Sequence, residues 1–490
     1  MPGPTLLQQR RCGILLHPTS FPGPFGNGDL GHTAYRFIEF LQASGCSLWQ
    51  MLPLGPTHAD LSPYQAMSSH AGNPVLISLD WLADRGWLDI TKIKQEKDSS
   101  EFRRLCLQLA GDTFKRLDDA EWNARLQAFV HDSEYWLADF SLFFALKKVY
   151  HHSPWYEWPE DLRDHDDAAL KAFAREHAGI IWQMNFEQFI FSTQYQELKA
   201  YAHEHGVYLF GDLPIFVAHD SADVWSQRNN FLLDANGQCE FVAGVPPDAF
   251  SDTGQRWGNP LYNWDHLQET GFQWWLDRIQ SQLVLYDLIR IDHFRGLDAC
   301  WQIPASDDTA ENGQWVKMPG RELLKSIIQA FDQLPLVAED LGVITPEVEA
   351  LRDEFELPGM KILQFAFGGD SHNPYLPHNH NNLSVVYTGT HDNNTTLGWY
   401  ESEPESVRQH VSAYLDKKLD MPWSLNKACL ASVANLAVLP LQDVLGLGAE
   451  HRMNTPGTVE GNWRWRYADD ALKPELAAQL LNLNRLYGRT

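Results

Sequence analysis

Three carboxylates in this chain stand where short apolar runs stop. Asp292 closes Leu288-Ile-Arg-Ile-Asp, Glu339 closes Leu336-Val-Ala-Glu, and Asp392 follows Val385-Val-Tyr-Thr-Gly-Thr-His. Acetal chemistry at a sugar carbon needs such groups: one acid to protonate the leaving oxygen, and one carboxylate to attack the carbon or to activate water. A separation of roughly 5–5.5 Å would mean a covalent intermediate and retention of configuration, and roughly 6.5–9.5 Å would mean inversion. Arg290 lies two residues before Asp292, so in an extended chain it shares the same face, and its fixed charge holds that carboxylate ionised. Glu339 needs the opposite treatment, a pKa raised by burial and by anionic neighbours, to stay protonated for acid work. His391, beside Asp392, can bond sugar hydroxyls. Taken alone, Arg290 and Asp292 read equally well as a structural ion pair at a strand end. Two further carboxylate-ended runs favour a site.

The elements that position these groups follow a βα rhythm. Short apolar runs alternate with longer segments of helical period, the pattern of a parallel sheet. Eight runs can be counted: Gly13–His17, Leu48–Leu54, Val207–Val217, the run ending at Asp292, Leu336–Glu339, Met360–Phe367, Val385–Thr390 and Leu436–Val444. This predicts an α/β fold, a TIM (β/α)8 barrel with helical and loop insertions, and in such barrels residues at the carboxyl ends of strands carry the chemistry. The chain is read as one catalytic domain over 1–490. Residues of about 80–200 lack strand runs and read as a helical insertion between the second and third strands; the aromatic residues of Ser153-Pro-Trp-Tyr-Glu-Trp158 read as packing within it. The third run ends on another carboxylate, Asp212.

Two loops add candidate contacts. Leu61 to Pro74 is small and polar with one aromatic residue, Tyr64, whose ring can stack on a sugar face. Residues 241–264 contain Trp257 and several turn formers, and read as a long structureless lid over an extended sugar chain. Gly26-Asn-Gly-Asp-Leu-Gly31 matches a dinucleotide-binding pattern, but a proline-rich stretch separates it from the preceding strand and Asp29 would face a pyrophosphate. A dehydrogenase reading rests on that loop alone.

Composition narrows the partners. The 490 residues carry 64 acidic against 38 basic side chains, a net charge of −26, which repels nucleic acid and anionic membrane surfaces. A neutral substrate is indifferent to that field. The six cysteines form no C-x-x-C pair, and His378-Asn-His380 has no third ligand at a regular spacing, so neither a disulfide framework nor a metal is expected. There is no apolar leader and no run long enough to span a bilayer, so a cytoplasmic location is expected. Nothing in the pattern sets the oligomeric state.

The chain resembles the 4-α-glucanotransferase family, amylomaltase or disproportionating enzyme, a relative of the α-amylases. The likeness runs over nearly the whole length through Gly13-Ile-Leu-Leu-His-Pro-Thr-Ser, Ser62-Pro-Tyr, Ala71-Gly-Asn-Pro, Gly211-Asp-Leu-Pro-Ile, Gly244-Val-Pro-Pro-Asp, Trp257-Gly-Asn-Pro, Arg290-Ile-Asp-His-Phe-Arg-Gly, Ala338-Glu-Asp-Leu-Gly and Gly389-Thr-His-Asp. It implies Asp292 as nucleophile, Glu339 as acid/base and Asp392 as the residue that binds sugar hydroxyls and distorts the ring. It also implies that Tyr64, Asp212, Arg290 and His391 shape the sugar site, and that the loop holding Trp257 covers the acceptor side. The implied reaction passes a 1,4-α-glucan segment from Asp292 to the 4-hydroxyl of another glucan or of glucose, with no metal or organic cofactor. The rivals are an α-glucan hydrolase with the same carboxylates and, in another class, a non-catalytic glycan-binding protein, which has no use for an acid.

Overall fold

The computed structural model describes residues 6–93, 99–247, 251–332, 334–458 and 460–490. Twelve strands occur among them: β1 (Arg11–Leu15), β2 (Leu48–Gln50), β3 (Tyr208–Leu213), β4 (Phe241–Val245), β5 (Gln255–Pro260), β6 (Leu288–Ile291), β7 (Ala299–Pro304), β8 (Gln314–Lys317), β9 (Leu336–Ala338), β10 (Gly359–Ile362), β11 (Ser384–Tyr387) and β12 (Leu436–Pro440). Eight form one sheet in the order β10-β11-β12-β1-β2-β3-β6-β9, and every pairing in it is parallel. Its two ends meet where the Ala338 N–H donates to the Pro358 carbonyl at 2.9 Å. The sheet is thus a nearly closed (β/α)8 barrel, built from the eight runs read in the sequence.

Alternation along the strands decides which side chains reach the mouth. Phe210, Leu288, Val337, Val385 and Tyr387 belong to the cluster that fills the barrel, whereas Leu209, Ile289, Ile291, Leu336 and Ala338 pack outward against the helices. Because side chains repeat every two residues in a strand, Asp212 shares the inner face with Phe210, Arg290 and Asp292 share it with Leu288, and Glu339 with Val337. The apolar layer is therefore the floor and the charged layer lies above it, at the strands' carboxyl ends. Gly211, on the outer face of β3, allows Tyr286 to press against the strand: a Cβ there would lie 2.1 Å from the Tyr286 ring.

Helices fill the span between β2 and β3, ending in the 27-residue helix Ala178–Glu204 that leads back into the barrel. Their starts are set by local chemistry: Ser99, Asp119 and Asp166 each accept a hydrogen bond from a backbone N–H of the first turn, caps worth about 0.5–2 kcal/mol each. Trp87, Phe114, Trp122 and Phe186 interlock in one aromatic cluster. Trp155 and Trp158 are buried, packed on His219 and Trp225.

The stretch 241–264 is not the structureless loop expected of it. β4 and β5 pair antiparallel, and β7 and β8 extend them into a second sheet of order β5-β4-β7-β8. The reason is non-local: β4 finds its second partner in β7, which follows the Asp292 segment, while the prolines and glycines between β4 and β5 read locally as loop. Asp248 of the Gly244-Val-Pro-Pro-Asp motif lies outside the described residues.

Candidate active site

β3, β6 and β9 are consecutive in the barrel, and their register sets the site. Asp212 is the register partner of Arg290, and Ile291 that of Ala338, which brings Asp292 and Glu339 side by side just beyond the paired residues. The backbone agrees: the Asp292 N–H donates to the Leu213 carbonyl and the Glu339 N–H to the Ile291 carbonyl, both at 3.0 Å.

Arg290 organises the anions. One terminal nitrogen donates to both oxygens of Asp212, at 2.8 and 2.6 Å, and the other donates to Asp292 Oδ1 at 2.8 Å. Burial works against the Arg290 charge, but Asp212 and Asp292 more than offset it, and its pKa lies well above the usual guanidinium value. Asp212 has a fully buried side chain, whereas that of Asp292 is 29% exposed. Of the two carboxylates on this arginine, only Asp292 is open to an incoming molecule. Asp212 also accepts from the Tyr64 hydroxyl at 2.6 Å. Asp212 is thus buried behind Arg290 and Tyr64, because its place in β3 lies deeper in the barrel than Asp292 does beyond β6.

Glu339 is held by main chain. The His293 N–H donates to its Oε2 at 2.7 Å and the Leu341 N–H to its Oε1 at 3.0 Å. Burial pushes its carboxyl up to about 8; Arg290 pulls it down, Asp292 pushes it further up, and the two N–H donors offset part of the rise. A carboxyl so placed is protonated at neutral pH while each oxygen keeps a lone pair free of the backbone. His293 adopts a left-handed backbone conformation (φ 51°, ψ 51°), which turns the chain sharply after the strand. Its ring meets Trp257 of β5 edge-on, with centroids 4.9 Å apart, so the second sheet stands at the rim on this side.

The third carboxylate sits across the mouth. Asp443, buried after β12, accepts from the Thr388 and Thr396 hydroxyls and the Thr396 N–H, all at 2.6 Å, and so clamps both ends of the segment carrying His391 and Asp392. Asp392 is exposed; Asn454 Nδ2 donates to its Oδ1 at 2.7 Å and His391 Nε2 lies 3.3 Å from the same oxygen. Tyr64 stacks on His391 with centroids 5.0 Å apart and planes 16° apart, and Trp463 packs against both rings.

The geometry brings Tyr64, Asp212, Arg290 and Asp292 into one connected network, with Glu339 tied to it through the His293 backbone and His391 through the Tyr64 ring. Sequence reasoning missed Asn454, Trp463 and the backbone role of His293. The signal for Trp463 in the sequence is the aromatic density of Gly461-Asn-Trp-Arg-Trp-Arg466. Among the described residues no group of three or more His, Cys, Asp or Glu side chains is placed to hold a metal ion, and no helix is long and apolar enough to cross a membrane.

A parallel barrel with carboxylates at its carboxyl-terminal mouth, one beside a guanidinium and one kept protonated, defines a class equipped for chemistry at glycosidic bonds. Residues 16–472 match the family described as 4-alpha-glucanotransferase. The chain is 46% identical to the 4-alpha-glucanotransferase of Synechocystis sp., covering 99% of both chains, and 47% identical to that of Thermus thermophilus, covering 96% of this chain and 97% of the relative. The structure superposes on the amylomaltase of Streptococcus agalactiae, solved in complex with acarbose, with a TM-score of 0.93 and 36% identity, covering 98% of this chain and all of that one. The chain belongs to the 4-alpha-glucanotransferase family. Its reaction is the transfer of an α-glucan segment from a donor to an acceptor.

Proposed function

We propose that the transfer is a double displacement in which Asp292 attacks the anomeric carbon and Glu339 supplies and then recovers the proton. In the first step a bond forms between Asp292 and the sugar carbon while the glycosidic bond breaks, and its oxygen leaves with the Glu339 proton. In the second, Glu339, now ionised, takes the proton of an acceptor 4-hydroxyl as that oxygen displaces Asp292. The observation that carries this reading is the unequal treatment of two carboxyls on adjacent strands: one accepts from Arg290 and stays open to an incoming molecule, and burial keeps the proton on the other.

Asp392, with His391, binds hydroxyls of the sugar beside the broken bond, and Asp212 acts behind the site by holding Arg290 and Tyr64. Tyr64 and Trp257 offer ring faces to a maltooligosaccharide or α-1,4-glucan, which as a neutral polymer is unaffected by the chain's net charge of −26. Transfer prevails over hydrolysis when an acceptor sugar holds its place against Trp257 and His293 longer than water does. A single domain working in the cytoplasm, with the second sheet as one wall of the acceptor side, completes the proposal.

The test uses maltosyl fluoride, whose leaving group needs no acid. With Glu339→Gln it should leave a maltosyl adduct on the peptide containing Asp292, detected by mass spectrometry. Asp292→Asn should form none and should leave maltotriose unconverted. An adduct on any other residue overturns the assignment.

A further inference from the structure

The mouth of the barrel carries a second concavity, outside the carboxylate site. Three segments build it: Leu445 and Leu447 just after β12, Trp423 at the start of the helix Trp423–Ala431, and the tail from Trp465 to the second turn of the helix Pro474–Leu486. Helices in such a barrel run back against the strands, so their first residues lie at the strands' carboxyl ends. The groove therefore opens at the same end of the molecule as Asp292. Its volume is about 520 Å³, within the range of roughly 300–1,000 Å³ that encloses small organic ligands.

Its chemistry is mixed in the way a sugar needs. Trp423 and Trp465 are half-buried, with part of each ring open, and Tyr467 lies between them in sequence and on the same wall. The rim is polar, with His451 and the exposed Lys473 and Gln479. Its cations, Arg466 and Lys473, are matched by Asp470 and Glu475, so no single sign of charge selects an ion. Weakly apolar pyranose faces stack on indole rings while their hydroxyls take polar partners.

Trp465 links the groove to the segment that carries His391. Trp465 lines this groove and also a small cavity of about 30 Å³ bordered by His391, Thr390 and Asn393. Its indole N–H donates to His451 Nδ1 at 3.2 Å, which fixes the ring as the partition between the two. A long donor glucan has to leave the mouth over the rim, and this groove lies at the same end of the barrel.

We infer that the groove binds a distal stretch of an α-1,4-glucan, so that long substrates are held at two places and short ones at one. The inference rests on the 4-alpha-glucanotransferase activity and not on the roles proposed for the carboxylates. Two linked contacts raise affinity without changing the bond-breaking step. The groove therefore acts on the KM for long chains and leaves maltotriose turnover alone.

The experiment compares initial rates on amylose and on maltotriose for two variants. Trp423→Ala removes a stacking surface; because Trp423 also packs on the core, Ala468→Trp is made as well, placing a large side chain into the groove from an exposed position. In Ala468→Trp the KM for amylose should rise by about 5-fold or more with kcat and the KM for maltotriose as in the unaltered enzyme, and Trp423→Ala should move the amylose KM in the same direction. An amylose KM that stays put in Ala468→Trp, or one that rises equally with maltotriose, overturns the inference. A failed carboxylate assignment would show in the Asp292→Asn and Glu339→Gln adducts and leaves this comparison standing.

Discussion

The backbone N–H of His293 donates to Glu339 Oε2 at 2.7 Å, so the residue that follows the proposed nucleophile also aims the proposed acid. The link is made by main chain in a left-handed conformation, φ 51°, and it ties the ends of β6 and β9 to one another. It depends on the backbone, so its sensitivity to substitution follows conformational preference and not the imidazole. Histidine and asparagine tolerate this region, while β-branched residues resist it. His293→Asn should unfold within a few degrees of the unaltered protein, and His293→Val should lose about 1–2 kcal/mol in denaturant titration together with most of its turnover. Equal stability of the two variants would show that the left-handed turn is not what matters.

The pH dependence follows from the Glu339 carboxyl, which sits at about 8 when folded against an ordinary 4.5. As the proton donor it must be protonated in the free enzyme, so kcat/KM for maltotriose should fall as pH rises through about 8. Stability moves the same way. A raised folded pKa contributes stability that is fully present below about 4.5 and is lost as the pH climbs through about 8. Glu339→Gln has no such proton to lose. Its thermal midpoint relative to the unaltered enzyme should therefore improve between pH 6 and pH 9, and a constant difference across that window would refute the shift.

Arg290 is shared between a buried carboxylate and a half-open one, and the two should respond differently to removal. Asp212→Asn keeps the shape but leaves the buried guanidinium with Asp292 as its remaining carboxylate partner, a loss of up to about 3–5 kcal/mol, the cost of removing one member of a buried pair. Tyr64→Phe removes a single hydrogen bond to the same carboxylate, about 1.5–3 kcal/mol. Because both act through Asp212, the double variant should cost less than the sum, and a thermodynamic cycle by denaturant titration reads that coupling. Strict additivity would mean that Tyr64 and Asp212 are not one unit.

Much of this site is legible in the sequence because its carboxylates end apolar runs. Once Leu288 and Val337 face inward, a period of two forces Arg290, Asp292 and Glu339 to do the same. Burial depth is not legible in that way. Asp212 ends a run just as Asp292 does, yet it lies within β3 and is covered, while Asp292 lies one residue past β6 and is open. The second sheet escaped because its pairing joins β4 to β7 across the whole Asp292 segment, and local turn formers hide strands whose partners are distant. Trp463 and Asn454 escaped for the same reason: they meet His391 and Asp392 only through a chain excursion that passes the last barrel strand.

Asn454 carries the last prediction. Asp392 is exposed and its carboxylate is steered chiefly by Asn454 Nδ2 at 2.7 Å, with His391 Nε2 3.3 Å from the same oxygen, while Arg452 holds the Asp392 carbonyl at 2.8 Å. A carboxylate left to rotate freely meets the sugar hydroxyls in the right orientation only part of the time, and a loss of order of this kind costs about 10-fold or more in turnover. Asn454→Ala should therefore lower kcat on maltotriose by about 10-fold with the thermal midpoint little changed. If the amide works only by orienting Asp392, adding Asn454→Ala to Asp392→Ala should cost nothing further, whereas a loose fold would lower both backgrounds alike. A full additional 10-fold loss in the double variant would place Asn454 on the substrate itself and remove the positioning role argued for it.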